Sequence, residues 1–179
     1  MEIEACILAG GKSARMGFDK AGALLRGRTL LQFTEAAVGA CNLSNRLIRE
    51  DHVESCGPLS GILTAFLSGD AKRILFLSCD MPFVQPATLR RMMEDSKRAC
   101  FASDGERFGF PFCLSRENSA IVEEQIGVKE FSLQRLARRL NAKPILAVVE
   151  NEFLNVNTPE ELERAGEILD APLPEPLAS

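Results

Sequence analysis

A short apolar run that ends on two glycines and then turns basic constrains this chain more than any other feature. Ile3 to Leu8 reads as a buried first strand, and Gly10-Gly11 closes it. Leu8-Ala9-Gly10-Gly11-Lys12-Ser13-Ala14-Arg15-Met16-Gly17 then combines a permissive backbone with cations. Glycines let the main chain pass close to a ligand and turn successive N–H groups toward phosphate oxygens. Lys12, Arg15 and Lys20 add charge-assisted contacts to a polyphosphate. The plainer alternative is a strand-to-helix turn whose cations are simply solvated. Two familiar phosphate loops are excluded by spacing. A P-loop needs a glycine five positions before the glycine of Gly11-Lys12, and that position is Cys6, inside the strand. The dinucleotide fingerprint needs glycine where Lys12 stands.

Downstream, strands and helices alternate. Thr29 and Gln32 form a capping pair ahead of Phe33, Ala36 and Ala37, and Arg46 to Arg49 reads as a brief strand. Pro58 opens a helix with Leu59, Ile62, Leu63 and Phe66 at helical spacing, ending near Gly69. Ile74-Leu75-Phe76-Leu77 is a second buried strand, and Pro86 begins a helix running to about Lys97. Residues 100–103 and 110–114 flank Asp104-Gly105, a turn signal for an antiparallel pair. Helical patterns follow near 117–126 and 132–141, then a strand over 145–149. Thr158-Pro159-Glu160-Glu161 is a strong helix start. This order predicts an α/β layered domain with a mainly parallel sheet and one antiparallel strand. Residues 1–169 read as one domain, and 170–179, with three prolines, as a loose tail. In such sheets ligands sit beyond the carboxyl ends of the strands, where both Gly10-Gly11 and Asp80 fall.

Asp80 ends its strand in Ser78-Cys79-Asp80-Met81-Pro82. A carboxylate there, opposite a phosphate loop, suits Mg²⁺, which takes one or two protein oxygens together with substrate phosphates. A turn or cap aspartate is the simpler alternative.

Composition removes other classes. With 179 residues and a net charge of −4, the chain lacks the basic block that nucleic-acid binding needs. Its six cysteines include no CxxC pair, and His52 is the only histidine, which argues against zinc. Cys6 and Cys79 read as core thiols. Neither a signal peptide nor an apolar run near the ~20 residues of a membrane span is present, so a cytoplasmic protein is expected. Without a GxSxG elbow, His52 reads as a loop residue and not as part of a hydrolase triad.

Set side by side, these motifs resemble the molybdenum cofactor guanylyltransferases, the molybdopterin-guanine dinucleotide biosynthesis protein A family. The likeness rests on the opening loop through Asp19-Lys20, Gly57-Pro58-Leu59-Ser60-Gly61, and Cys79-Asp80-Met81-Pro82. It extends to Asp104-Gly105-Glu106-Arg107 ahead of Pro111, and to Asn155-Val156-Asn157-Thr158-Pro159-Glu160. The resemblance implies a three-layer Rossmann-like fold of the nucleotide-diphospho-sugar transferase type. It also implies transfer of GMP from GTP to molybdopterin, with Mg²⁺ as cofactor and release of pyrophosphate. Arg15, Lys20 and Asp80 would then be catalytic, with Asp80 as metal ligand. Leu8, Ala9, Gly10, Gly11, Lys20, Asp51, Gly57, Pro58, Leu59 and Asp80 would bind the nucleotide in the N-terminal half. Asn155 and Asn157 would bind the pterin in the C-terminal half, where amides suit a ring rich in donors and acceptors. Transient contact with molybdopterin-insertion or acceptor proteins would follow.

The chain departs from that family between residues 40 and 57. The family has there a strand with a base-site asparagine, a helix, and a strand ending in aspartate. Only Cys41 to Cys56 is available here. Asp51 matches the aspartate, while Asn42 and Asn45 both stay open for the asparagine. A cytidylyltransferase or sugar-phosphate nucleotidyltransferase using the same loop is the nearer alternative. A non-catalytic nucleotide-binding protein is the more distant one.

Overall fold

The computed structural model describes residues 2–9, 20–49, 56–94 and 99–171. Gly10, Gly11, Lys12, Arg15, Asp51 and His52 lie outside the described residues, as do 172–179, and only the main chain of Lys20 is described.

The described residues form eight strands in chain order: β1 (Ile3–Leu8), β2 (Leu24–Leu25), β3 (Arg28–Thr29), β4 (Asn45–Ile48), β5 (Arg73–Ser78), β6 (Cys100–Ser103), β7 (Phe108–Ser115) and β8 (Lys143–Leu146). Among the described residues six α-helices accompany them: α1 (Leu30–Gly39), α2 (Pro58–Leu67), α3 (Pro86–Glu94), α4 (Ser119–Gly127), α5 (Leu133–Arg139) and α6 (Pro159–Asp170). The main sheet runs β4-β1-β5-β7-β6-β8. β1 pairs in parallel with β4 and β5, β6 pairs in parallel with β8, and β7 is antiparallel to both its neighbours.

The antiparallel strand follows from the turn chemistry foreseen at Asp104-Gly105. Asp104 Oδ1 accepts from the main-chain N–H groups of Arg107 and Glu106 at 2.7 and 2.9 Å, and Gly105 takes φ +101°. Those N–H bonds hold the Asp104 carboxyl below its ordinary pKa. The turn sends β7 back between β5 and β6.

Both faces of the sheet are covered. In β5, Ile74 and Phe76 face α2, α4 and α5, while Leu75 and Leu77 face α1 and α3. Every residue from Arg73 to Leu77 is buried, which accounts for a near-continuous apolar run instead of an alternating one. On the first face Phe76, Phe112 and Phe101 stack at ring-centroid spacings of 5.1 and 4.6 Å. These rings alone bury several hundred Å² of apolar surface. The three-layer expectation holds, and no helix of the described residues is long and apolar enough to cross a membrane.

All six cysteines are free, and five are buried, Cys6 and Cys79 among them. Burial pushes the Cys6 thiol up to about 11, partly countered by the nearby Arg46 guanidinium, so it is protonated and inert at neutral pH.

Two elements differ from the sequence expectation. The strand read at 145–149 lies instead at Lys143–Leu146. It starts early because an edge strand tolerates Pro144. It ends early because the Val148 N–H donates to the carboxylate of Glu152 (2.7 Å) and not to a neighbouring strand. The β2–β3 hairpin was not foreseen. Its turn residues Arg26 and Gly27 take φ of +48° and +82°, the backbone a two-residue hairpin requires. The Arg26 side chain pairs with Asp170, the last residue of α6, at 2.5 Å. Asp170 therefore belongs to a helix, one residue into the segment read as tail.

Candidate functional site

The carboxyl ends of β1, β4 and β5 converge, and main-chain bonds tie their exits together. Ala9 N–H donates to the carbonyl of Ile48 at 2.9 Å, and Cys79 N–H donates to that of Leu8 at 3.2 Å. Asp80 follows directly and is only 7% exposed. Its own carbonyl accepts from Val156 N–H at 2.9 Å, a contact that spans 76 positions of chain. Asn155 and Asn157 flank that N–H, so residues distant in sequence meet at one edge of the sheet.

Helix α2 approaches the same edge because it returns the chain from β4 to β5, with its amino end above the strand termini. Gly61 lies against Leu8 so closely that an added Cβ would stand 3.2 Å from both Leu8 δ-carbons. The glycines of Gly57-Pro58-Leu59-Ser60-Gly61 thus have separate reasons. Gly61 permits the close approach, and Gly57 adopts φ +62°, ψ −144°, a region essentially closed to side-chain-bearing residues. Pro58 fills the first helical position, Leu59 is fully buried, and Ser60 donates its hydroxyl to the Gly57 carbonyl at 2.7 Å. Gly57→Ala should destabilise the protein by about 1–3 kcal/mol through backbone strain alone, measured by urea unfolding. Unchanged stability would mean that the bend is not strained.

On the other side, Asn155 is exposed and donates through Nδ2 to the Phe153 carbonyl at 3.3 Å. Asn157 is half-buried, and its N–H donates to Glu161 Oε2 at 2.5 Å. Glu161 Oε2 also accepts from Thr158 N–H at 3.1 Å, and Thr158 Oγ1 accepts in return from Glu161 N–H. The predicted capping box is therefore present and reaches one residue further than a cap requires, fixing the Asn157 backbone.

Main-chain bonds bring Leu8, Ala9, Asp80 and the segment from Asn155 to Asn157 to one edge, and the approach of Gly61 to Leu8 carries the helix opened by Gly57, Pro58 and Leu59 against β1. Gly10, Gly11, Arg15 and Asp51 lie outside the described residues. The Lys20 main chain opens a 3-10 turn, Lys20–Gly22, whose next residue Ala21 is buried against the sheet. Asn42 and Asn45 do not reach this edge. Asn42 stands in the turn after α1 with φ +56°, at the amino ends of the strands. Asn45 begins β4 opposite Ala5, three residues and about 10 Å short of the strand's end. Two carboxylates escaped the sequence reading. Glu161 was seen only as a cap, and Glu152 carried no pattern at all.

Residues 5–144 match the family described as the MobA-like NTP transferase domain. The chain belongs to this family. Among curated relatives, the molybdenum cofactor guanylyltransferase of Shewanella halifaxensis is 30% identical over 94% of this chain and 96% of the relative. That of Syntrophotalea carbinolica is 32% identical over 89% of each.

Solved structures share the fold. A nucleotidyl transferase from Methanothermobacter thermautotroptrophicus superposes with a TM-score of 0.74 at 19% identity, over 93% of this chain and 97% of that one. Molybdopterin-guanine dinucleotide biosynthesis protein A from Archaeoglobus fulgidus does so with 0.70 at 20% identity, over 93% and 98%. The MobA-like chain is a nucleotidyltransferase, and small-molecule nucleotides are its substrate class.

Proposed function

We propose that this MobA-like protein transfers GMP from GTP to the terminal phosphate of molybdopterin, releasing pyrophosphate. The observation that carries the reading is the main-chain junction at Asp80. One side of it is bonded to the exit of β1, where the phosphate loop begins, and the other to Val156 between the two asparagines. A carboxylate at the seam of a donor half and an acceptor half is where a phosphoryl group in transit needs charge managed.

In this reading Leu8, Ala9, Gly10 and Gly11 present main-chain groups to the nucleotide, while Arg15 and Lys20 neutralise triphosphate charge. Asp51 and Gly57 to Leu59 border the guanine. Asn155 and Asn157 hold the pterin through amide donors and acceptors.

The donor set at Asp80 fits Mg²⁺. Among the described residues no group of three or more His, Cys, Asp or Glu gathers into an all-protein cage. A single buried carboxylate suits a cation that draws its remaining ligands from phosphates and water. Bound there, Mg²⁺ would offset charge on the α-phosphate and the departing pyrophosphate. Positioning is left to the chain itself: α2 and β1 fix the donor, and the segment from Glu152 to Asn157 fixes the acceptor.

Incubation with GTP, Mg²⁺ and molybdopterin, followed by mass analysis, should yield the guanine dinucleotide and pyrophosphate. A parallel thermal-shift titration should show stabilisation by GTP above CTP and ATP. Stabilisation by CTP alone would replace the guanylyl reading with a cytidylyl one. Glu161→Ala should cost about 1 kcal/mol of stability, as lost caps do, and raise KM for the pterin more than for GTP. Equal effects on both substrates would assign Glu161 to the cap alone.

A further inference from the structure

Glu152 is fully buried, yet its carboxylate is engaged by main-chain donors from two different segments. Oε1 accepts from Gln85 N–H at 3.0 Å, and Oε2 from Val148 N–H at 2.7 Å. Gln85 is the residue before α3, so the carboxylate caps that helix where its macrodipole favours negative charge. Burying a carboxylate is costly, and two charge-assisted N–H bonds together with a helix terminus offset the cost. A methionine or leucine would fill the same volume without that cost, so packing alone does not call for an acid here.

The bonds join two stretches that both lead into the site. Gln85 lies five residues after Asp80, and Glu152 lies three residues before Asn155. The Val156–Asp80 main-chain bond is the second link between the same stretches. Beside the second link, Phe83, which lies between Asp80 and Gln85, packs in one buried cluster with Val156. A polar bond at each end of an apolar contact fixes both the separation and the rotation of one segment on the other, which apolar packing alone does not.

We propose that Glu152 is a positioning residue, which clamps the acceptor-side segment at Asn155 and Asn157 onto the loop that carries Asp80. It touches no substrate. This rests on the reading of Asn155 and Asn157 as the pterin side, and it adds that the distance from acceptor to carboxylate is set by a buried acid.

The test uses the full chain with Glu152→Gln and Glu152→Asp. A glutamine has one acceptor for two donors, and its NH₂ opposes the second N–H. Aspartate keeps both oxygens and the charge. Glu152→Gln should lower kcat/KM for molybdopterin by about 10–100-fold, because misplacing a reactant by about 1 Å costs that much. KM for GTP should remain within about twofold of wild type, and Glu152→Asp should recover part of the loss. Amide exchange should quicken at Gln85, Val148 and Val156 while Leu75 and Phe76 in β5 exchange as in wild type. Equal losses toward both substrates, or faster exchange throughout the core, would reduce Glu152 to a stability residue. Failure of the wild type to guanylylate molybdopterin overturns the proposed function and leaves the clamp to the exchange readout. An unchanged Val156 amide in Glu152→Gln overturns the clamp itself.

Discussion

Asp80→Asn is expected to lower pyrophosphate release by about a thousandfold while the protein still folds and binds GTP. The size follows from the position. Removing the carboxylate that would hold Mg²⁺ forfeits several kcal/mol of transition-state charge stabilisation, and about 4 kcal/mol is a thousandfold. The fold should survive because asparagine matches aspartate in shape. The bond that joins this segment to the acceptor side uses the Asp80 carbonyl, which the substitution keeps. The measurement is pyrophosphate release under saturating GTP, with GTP affinity and thermal unfolding as controls. Turnover equal to wild type would remove Asp80 from the reaction. A parallel fall in stability would instead make it a structural turn residue.

What the sequence made legible here is local chemistry, and what it hid is contact between distant segments. The Thr29 and Thr158 caps are both formed, because a cap is a matter of three adjacent residues. The Asp104-Gly105 turn fixed the antiparallel strand of the main sheet for the same reason. Asp80 was legible because a carboxylate at the end of an apolar strand stands out against its neighbours. Glu152 offered no such contrast, since its partners are main-chain N–H groups and one of them is 67 positions away. The strand expected at 145–149 was misplaced by a second bond to the same carboxylate, a local one that captures the Val148 N–H four positions away. The β2–β3 hairpin was missed because each strand has only two residues and the first positive-φ position of its turn holds Arg26, where asparagine, aspartate or glycine is the usual signal. The asparagine sought at Asn42 or Asn45 failed for a topological reason. Both precede or open β4, at the wrong end for a ligand lying beyond its carboxyl end.

The shortened interval between β4 and α2 bears on selectivity more than on chemistry. The parts that would handle phosphate, at the exit of β1 and at Asp80, are set by β1, β5 and the main-chain bonds between them. None of these runs through residues 50–55. Base discrimination is where a shorter stretch than the resembled family has would tell, since a pocket rejects the wrong base by leaving its own buried polar groups unpaired. Transfer chemistry is thus expected to be robust, and the preference for GTP over other nucleotides to be the more variable property.

Lys20→Ala is expected to raise the GTP dissociation constant by about 10–100-fold and to change kcat at saturating GTP much less. A charge-assisted contact contributes about 1.5–3 kcal/mol, which converts to that range of affinity. The anchor for such a contact is sound, because the turn that Lys20 opens contains Ala21 and leads into Ala23, both 2% exposed. The backbone from which the side chain extends is therefore tied to the core. Three controls distinguish a triphosphate contact from a surface cation. Raising the ionic strength should weaken GTP binding more in wild type than in Lys20→Ala, since salt screens the charge that the variant has already lost. GMP, with a single phosphate, should lose less affinity than GTP. Lys20→Arg should restore charge but only part of the affinity, because a planar guanidinium does not reproduce the reach of a compact ammonium. A variant that binds GTP as wild type does, with the same salt dependence, would show that Lys20 lies in solvent and leave charge neutralisation to Arg15.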